Sequence, residues 1–184
     1  MMLNSFSHKF SDIKTNEIDE KWQAPDINLL PRSTEGDLIR YGRELIVNTS
    51  IYFGPKGSVA PITNGMNCQN CHVEAGVRSF GNSFAAVGST YPRYRERSAR
   101  VESIEFRIND CMERSLNGKG IDSLSKEMKA MVAYLKWIGK NVTPGIKPNG
   151  SGIIEMPWIN RAADPKKGKI TFINDCQRCH GSNG

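Results

Sequence analysis

The sequence predicts an all-α fold made of two small helical modules in tandem, the second of them truncated. In the first 140 residues, apolar side chains recur at helical spacing in three segments. One pentapeptide, Cys-x-x-Cys-His, occurs twice, at 68–72 and at 176–180. Ample sequence flanks the first copy, whereas only four residues follow the second. We therefore expect one module for each copy, with the second cut short.

The pentapeptide is the attachment signature of c-type haem. Two thiols three positions apart can each form a thioether with a haem vinyl group, and the adjoining imidazole can then ligate the iron. The predicted attachment and ligand residues are Cys68, Cys71 and His72 for a first haem and Cys176, Cys179 and His180 for a second. The sequence thus predicts two cytochrome c-like domains with two covalently attached haems, and His72 and His180 as iron ligands.

The alternative interpretation of each Cys-x-x-Cys is a redox dithiol or half of a zinc site. A structural zinc ion needs about four ligands. More than a hundred residues separate the two pairs, and no other histidine lies near either of them. A thioredoxin-like motif belongs to a strand-and-helix unit and has no reason to be followed twice by histidine. Haem attachment is therefore the favoured interpretation.

Three helices are expected in the first module. The first runs from about 36 to 49, with Leu38, Tyr41, Leu45 and Ile46 at helical spacing and Ser33 or Thr34 as its cap. The second runs from about 103 to 117, with Ile104, Ile108, Cys111, Met112 and Leu116 near one face. The third begins after Asp122 or Ser123 and ends at Gly139; its buried stripe is predicted to be Leu124, Met128, Met131, Val132, Leu135 and Ile138. We expect these methionines to be core residues and not iron ligands.

The remaining segments lack sustained periodicity. Residues 1–33 are predicted to be a polar N-terminal arm, and 34–140 the first cytochrome c-like domain, which carries the first pentapeptide. Within it, 54–65 is expected to be a loop and 73–100, rich in Gly, Ser and Arg, irregular structure along the haem edge. Residues 141–164 are predicted to be a linker, and 165–184 the start of the second domain, with a short helix leading to its pentapeptide.

The charge and the cofactor together limit the partners and the compartment. A formal net charge of +6 favours anions and acidic partners, while the basic residues are dispersed and no nucleic-acid motif accompanies them. Haem is attached outside the bacterial cytoplasm, so the protein is predicted to be periplasmic. A secretory leader is expected, yet residues 1–30 contain no apolar run of that kind, and no stretch is long enough to span a membrane.

The distal ligand of the first haem has two candidates on the second helix. Cys111 is the odd cysteine, and Met112 is its neighbour. Methionine would make an ordinary high-potential electron carrier, whereas a cysteine thiolate would lower the potential and place a sulfur nucleophile beside the iron. Cys111 could also be a small buried hydrophobe. The spacing alone does not decide between them.

Several blocks together resemble the bacterial thiosulfate dehydrogenases, over about residues 36–184. These blocks are Asn64–His72, Tyr91–Arg97, Arg107–Gly118, Ser125–Met128 and Tyr134–Trp137. The resemblance implies a periplasmic dihaem cytochrome that joins two thiosulfates into tetrathionate with release of two electrons. It also implies a His/Cys-ligated haem as the active site, and transfer of electrons to the second haem and then to a redox partner such as another cytochrome.

Carried over by motif, the resemblance makes Cys111 the distal ligand and catalytic residue, and places Arg97, Arg107 and Ser115 around thiosulfate. A dianionic substrate needs fixed cations, and the planar fork of arginine suits an oxyanion. The alternatives are a solvated charge for Arg97 and a haem propionate partner for Arg107. In the implied mechanism, Cys111 leaves the iron or forms an S-sulfonated intermediate as the second thiosulfate attacks.

The sequence departs from this family at its C-terminus, because the family takes the distal methionine or lysine of its second haem from beyond the pentapeptide. The second haem is therefore expected to lack its sixth ligand; Met156, in the predicted linker, is the nearest methionine upstream. The alternative functions are a non-catalytic dihaem electron carrier and a Sox-type dihaem subunit that conjugates thiosulfate to a partner's cysteine. The block from Arg107 to Ser115 favours the dehydrogenase, and the direction of the reaction stays open.

Overall fold

The computed structural model describes residues 21–183, which form two compact units that divide between Ile154 and Glu155. Residues 1–20, which make up most of the predicted polar arm, lie outside the described part, as do the side chains of Cys179 and His180. Of the remaining arm, 21–33, Trp22 is only 9% exposed and belongs to the core of the first unit. The C-terminal end of the predicted arm therefore packs against the core of the first unit.

Helices dominate the first unit. They are α1 (Thr34–Val47), α2 (Thr49–Phe53), α3 (Val87–Thr90), α4 (Ile104–Arg114) and α5 (Lys126–Ile138), with 3-10 turns at Ile27–Leu29, Cys68–Asn70 and Glu74–Gly76. Four short strands, β1 (Gly81–Ser83), β2 (Arg93–Arg95), β3 (Arg100–Glu102) and β4 (Gly152–Ile153), form two antiparallel pairs, β1 with β4 and β2 with β3. The predicted mainly helical fold is confirmed, with these two short pairs as the strand structure of the described residues, and the tandem arrangement of two cytochrome c-like domains stays a prediction.

Serine side chains cap the three long helices at their N-termini. The hydroxyl oxygens of Ser33, Ser103 and Ser125 accept hydrogen bonds from the backbone N–H groups of Gly36, Phe106 and Met128 at 3.1, 3.2 and 3.1 Å. Each bond satisfies a donor that the first helical turn leaves free. Ser33 is thus the predicted cap of α1, whereas α5 begins two residues later than expected.

The core forms where α1, α4 and α5 present their apolar stripes to one another. Its buried members include Leu45, Ile46, Ile104, Ile108, Met112, Met128, Met131, Leu135 and Ile138. Met128 and Met131 are 0% and 1% exposed, which confirms that they are core residues. Leu124 was wrongly included in the stripe: it precedes α5 and is 76% exposed.

The segment 73–100 is more ordered than the sequence indicated, because it contains β1, α3, β2 and β3. Part of the predicted linker also packs on the first unit through backbone hydrogen bonds. The N–H groups of Trp22 and Phe80 donate to the carbonyl oxygens of Asn149 and Gly150 at 2.8 and 2.7 Å. Both bonds join backbone groups, which every residue has, so this pairing left no signal in the sequence.

The second unit consists of one run of helical turns that ends at the second pentapeptide. Asp164 caps α6 (Pro165–Thr171), a π-helical turn follows at Phe172–Cys176, and α7 spans Gln177–His180. Proline suits the first turn because the N–H that it lacks would have no partner there. The predicted short helix before the second pentapeptide is present. Among the helices of the described chain, none is long and apolar enough to cross a bilayer.

Candidate haem-binding site

The first pentapeptide begins with a 3-10 turn that is fastened to the start of α2. The side-chain oxygen of Asn70 accepts from the N–H of Asn67 at 2.7 Å, and the side-chain oxygen of Asn67 accepts from the N–H of Ser50 at 2.8 Å. These two bonds fix the entry to Cys68. The amides of the motif therefore serve a structural purpose beside its thiols.

Thr49 connects the same helix to Cys68. Its side chain is fully buried, and its Oγ1 accepts from the N–H of Cys68 at 3.0 Å and lies 3.2 Å from Cys68 Sγ. Oγ1 also lies 2.8 Å from the carbonyl oxygen of Leu45. Burial raises the pKa of the Cys68 thiol to about 11, against a lowering effect of the Thr49 hydrogen bond. The thiol is therefore held in place in its neutral form.

His72 is oriented by two contacts. Its Nδ1 lies 2.6 Å from the carbonyl oxygen of Asn82, and its ring stacks on Phe84 with 4.1 Å between centroids. A carbonyl oxygen can only accept, so Nδ1 carries the proton and Nε2 keeps its lone pair. Burial lowers the pKa of His72, the Asn82 contact raises it, and Arg107 lowers it. The imidazole is thus neutral and ready to ligate through Nε2.

The strand that holds His72 is bulged at Asn82. In the β1–β4 pair, Gly81 faces Ile153 and Ser83 faces Gly152, which leaves Asn82 as the extra residue. Asn82 has φ = 58°, in the left-handed region that asparagine tolerates better than most residues. Such a bulge can redirect a backbone group. Here it turns a carbonyl oxygen towards the imidazole.

Cys111 lies on the side of α4 that faces the pentapeptide. It interacts electrostatically with the thiols of Cys68 and Cys71 and is half-buried, whereas Met112 is 1% exposed within the core. Burial raises the pKa of Cys111, and the positive charge of Arg107 lowers it. Of the two distal-ligand candidates, Cys111 is therefore the one that the fold brings to the attachment cysteines.

Arg107 and Ser115, both singled out in the sequence, lie on either side of Cys111 along α4. Arg107 forms an ion pair with Asp110, and its positive charge acts to lower the pKa of both His72 and Cys111. A hydrogen bond from Ser115 lowers the pKa of Cys111, while Asp110 raises it. The predicted block thus forms one local group of a thiol, a hydroxyl and a partly neutralised guanidinium.

Arg97, the remaining predicted substrate residue, is exposed in the turn between β2 and β3. Its neighbour Arg95 is half-buried instead. Burial raises the pKa of Tyr91, and Arg95, Arg107 and Arg93 lower it. Arg95 and Tyr91 therefore lie closer to the Arg107 group than the sequence indicated, although both belong to a block that carried the resemblance.

The sequence reasoning also missed Thr49, Asn82 and Phe84. A threonine before a short helix, and a backbone carbonyl in a Gly-Asn-Ser stretch, have no sequence signature. Phe84 could have been found as an aromatic residue shortly after the pentapeptide. In the second pentapeptide, Cys176 is half-buried and ends the π-helical turn; upstream, Met156 is 75% exposed.

The arrangement of the first site fits a c-type haem. Cys68 and Cys71 provide the two attachment thiols, and His72 offers Nε2 because Nδ1 is engaged by Asn82. Cys111 of α4 interacts with the same two thiols and would be the soft donor nearest to them. Cys68, Cys71, Cys111 and Cys176 are all free thiols. The donors that this site would offer a haem iron are therefore one nitrogen and one sulfur, besides the two thiols for attachment.

Comparison with known proteins finds a cytochrome c domain around the first pentapeptide. Residues 59–142 match the family model described as SoxA/TsdA, cytochrome c domain. The thiosulfate dehydrogenase of Psychrobacter arcticus is 33% identical over 164 residues, which cover 88% of this chain and 48% of that protein. The thiosulfate dehydrogenase of Stutzerimonas stutzeri is 31% identical over 163 residues, with 89% and 52% covered. This chain thus spans about half the length of the curated relatives it matches.

A solved structure shares the fold. The structure titled thiosulfate dehydrogenase (TsdBA) from Marichromatium purpuratum, as-isolated form, superposes with a TM-score of 0.76 at 22% identity. The match covers 88% of this chain and 35% of that one. The region matched by the family model contains the first pentapeptide and Cys111. Residues 59–142 therefore match the cytochrome c domain described for SoxA and TsdA, and the chain is similar in sequence to the thiosulfate dehydrogenases over about half of their length.

Proposed function

We propose that this protein is a periplasmic dihaem cytochrome c that oxidises thiosulfate to tetrathionate. The observation that carries the proposal is the position of Cys111 opposite Cys68 and Cys71, with Arg107 one helical turn earlier. An electron carrier needs no fixed cation beside its distal ligand, whereas an anionic substrate does. Four homologues named thiosulfate dehydrogenase, at 29–33% identity, support the same reaction.

In this proposal, residues of the chain bind and orient thiosulfate. Arg107 donates charge-assisted hydrogen bonds to the oxygens of one thiosulfate, and Asp110 holds the guanidinium in place through their ion pair. Ser115 donates a hydrogen bond to the Cys111 sulfur and orients it. With haem bound, Cys111 would supply the second iron ligand and the sulfur nucleophile. Arg97, which is exposed in the turn between β2 and β3, would contribute positive charge at the entrance to the thiosulfate pocket.

When bound, the haems supply the electron sink: two thiosulfates become one tetrathionate, and the two electrons released pass through the first haem to the second. The second pentapeptide, Cys176 to His180, supports a second attachment site. A redox partner, such as another cytochrome, would receive the electrons. The net charge of +6 suits an acidic partner.

A second candidate is a Sox-type subunit that conjugates thiosulfate to a cysteine of a partner protein. It is supported by the family model, which covers both SoxA and TsdA. Both candidates use the same ligands and the same anion. They differ in the acceptor of the sulfur atom, which is a second thiosulfate in one and a protein thiol in the other.

A steady-state assay with purified holoprotein separates these functions. Thiosulfate and ferricyanide are supplied without any partner protein, and tetrathionate is quantified as the product. The proposal expects one tetrathionate for every two ferricyanides reduced. Ferricyanide reduction that requires a partner thiol would favour the Sox-type function. Haem reduction without any tetrathionate would indicate a non-catalytic electron carrier.

A further inference from the structure

The hairpin of β2 and β3 has one charged and one apolar face. In its register, Arg93 pairs with Glu102, Tyr94 with Val101, and Arg95 with Arg100. Side chains directly opposite each other project to the same face of a sheet. Tyr94 and Val101 are 58% and 65% exposed, whereas Glu102 is 4% exposed. The charged face is therefore the inner face of the hairpin at Glu102 and Arg95, whereas Arg93 and Arg100 on the same face remain exposed.

Two arginines stand opposite each other on this inner face, which is unfavourable unless their charges are balanced. Arg100 is engaged over the ring of Phe106, 3.7 Å from its centroid. Arg95 is half-buried, and among residues 21–183 no carboxylate lies within ion-pair distance of it. Partial burial without an ion pair is costly for a guanidinium unless it binds an anion.

Glu102, the carboxylate on the same face, does not balance Arg95. Its Oε1 accepts from the hydroxyl of Ser98 at 2.7 Å. Its Oε2 is buried and has no hydrogen-bond partner within the described residues. The hairpin therefore presents a guanidinium that its own carboxylate leaves unpaired.

Tyr91 links this hairpin to the proposed catalytic group. It is half-buried two residues before β2; burial raises the pKa of its hydroxyl, the charges of Arg95, Arg107 and Arg93 lower it, and that of Glu102 raises it. Arg107 acts in turn on Cys111 and His72. Arg95 is thus the half-buried arginine of its segment, whereas Arg93, Arg97 and Arg100 are exposed.

We propose that Arg95 binds an oxyanion together with Arg107 and the Tyr91 hydroxyl, beside Cys111. The two guanidinium forks provide donors only and the phenol provides one more O–H donor, which suits a group with several acceptor oxygens. Two sources share this chemistry, the sulfonate oxygens of thiosulfate and a propionate carboxylate of the haem. The inference rests on the proposed function for the first source and on the cytochrome c domain alone for the second.

The test compares Arg95→Gln and Arg95→Lys with wild-type holoprotein. The control is Arg32→Gln, which removes the same charge from an exposed position before α1. Three quantities are measured in each protein: the KM for thiosulfate, the thiosulfate affinity by calorimetry, and the midpoint potential of the first haem against pH. Circular dichroism melting shows which variants are folded; if Arg95→Gln does not fold, Arg95→Lys and Tyr91→Phe take its place.

If thiosulfate is the anion, Arg95→Gln raises its KM and its dissociation constant about ten- to a hundredfold, the range that charge-assisted hydrogen bonds give. Tyr91→Phe raises both severalfold, and the potential stays as in the control. If the propionate is the anion, the thiosulfate constants match the control while the pH dependence of the potential changes.

The inference is overturned if Arg95→Gln equals Arg32→Gln in all three quantities. Failure of the proposed function is a separate result, because wild-type protein would then neither turn over nor bind thiosulfate while the potential could still be read.

Discussion

Gly42 of α1 and Ala130 of α5 meet where the two helices cross: a Cβ atom built on Gly42 would lie 2.0 Å from the carbonyl oxygen of Ala130. No carbon can approach an oxygen so closely, so the crossing requires a residue without a side chain. The same Cβ would also lie 2.8 Å from the Cβ of Tyr134. The separation of the two helices is therefore set by this glycine.

Gly42→Ala is expected to destabilise the first unit by roughly 1 to 3 kcal/mol, the usual cost of overpacking a core. The free energy of unfolding, measured by urea denaturation, checks this. Gly168→Ala is the control, because its Cβ would meet nothing within 4 Å. If Gly42→Ala were as stable as wild type, the helices could separate at no cost and the crossing would not be fixed.

Cys111→Met should convert the first haem to a His/Met spectrum and abolish thiosulfate oxidation, because the thiolate is lost as ligand and as nucleophile. Absorption and magnetic circular dichroism spectra give the ligation, and the ferricyanide assay gives the turnover. Met112→Leu is the control, since it preserves the volume of a buried core residue. Wild-type turnover in Cys111→Met would reduce the cysteine to a packing role.

Arg107→Lys keeps the charge but loses the planar fork of donors. Thiosulfate affinity or turnover is expected to fall about ten- to a hundredfold, as charge-assisted hydrogen bonds contribute roughly 1.5 to 3 kcal/mol each. Arg114→Lys is the matched control, because Arg114 lies 3.8 Å from the same Asp110 and is more exposed. A shift of the haem potential with unchanged thiosulfate kinetics would instead identify Arg107 as a propionate partner.

Two haems are expected per chain, because both pentapeptides are complete. Denatured protein should retain both by mass and by its pyridine haemochrome spectrum. The double variant Cys176→Ser, Cys179→Ser should retain one, and Cys68→Ser, Cys71→Ser should retain the other. A wild-type mass that corresponds to the bare chain, after expression with the attachment machinery, would contradict the assignment of both sites.

Glu105 is expected to make stability depend on pH at the acid end. Hydrogen bonds from Ser103 and from its own backbone N–H lower its pKa below 4.5, with a smaller effect of Lys136. A group with a lowered folded-state pKa stabilises the fold above its unfolded-state pKa, and that contribution is lost as the pH falls through the folded-state value. Melting temperatures of wild type and Glu105→Gln should therefore converge below about pH 4.5. Parallel curves at all pH values would exclude this role.

The sequence predicted those parts of the fold that depend on periodic burial. Met128 and Met131 lie on a helical stripe, and their burial follows from that period alone. Leu124 fits the same period but precedes the cap at Ser125, and a period carries no information about where a helix begins. Helix bounds depend on single hydrogen bonds, which explains this error.

The candidate site also has a part that the sequence indicates and a part that only the structure shows. The pentapeptide and Cys111 could be proposed from the sequence because their chemistry depends on residue type. The choice of Cys111 over Met112 required the orientation of α4 about its axis, since adjacent residues project about 100° apart. The carbonyl of Asn82 was invisible to sequence reasoning, because every residue has such a group and only the fold selects one.

The bulged strand at Asn82 has a structural consequence. The carbonyl that orients His72 belongs to β1, and β1 pairs with β4 just before the chain leaves the first unit at Ile154. The exit of the chain and the orientation of the haem ligand therefore share one pair of strands. The two residues of β4 at which the chain leaves the first unit are therefore paired with the strand whose carbonyl group orients the ring of His72.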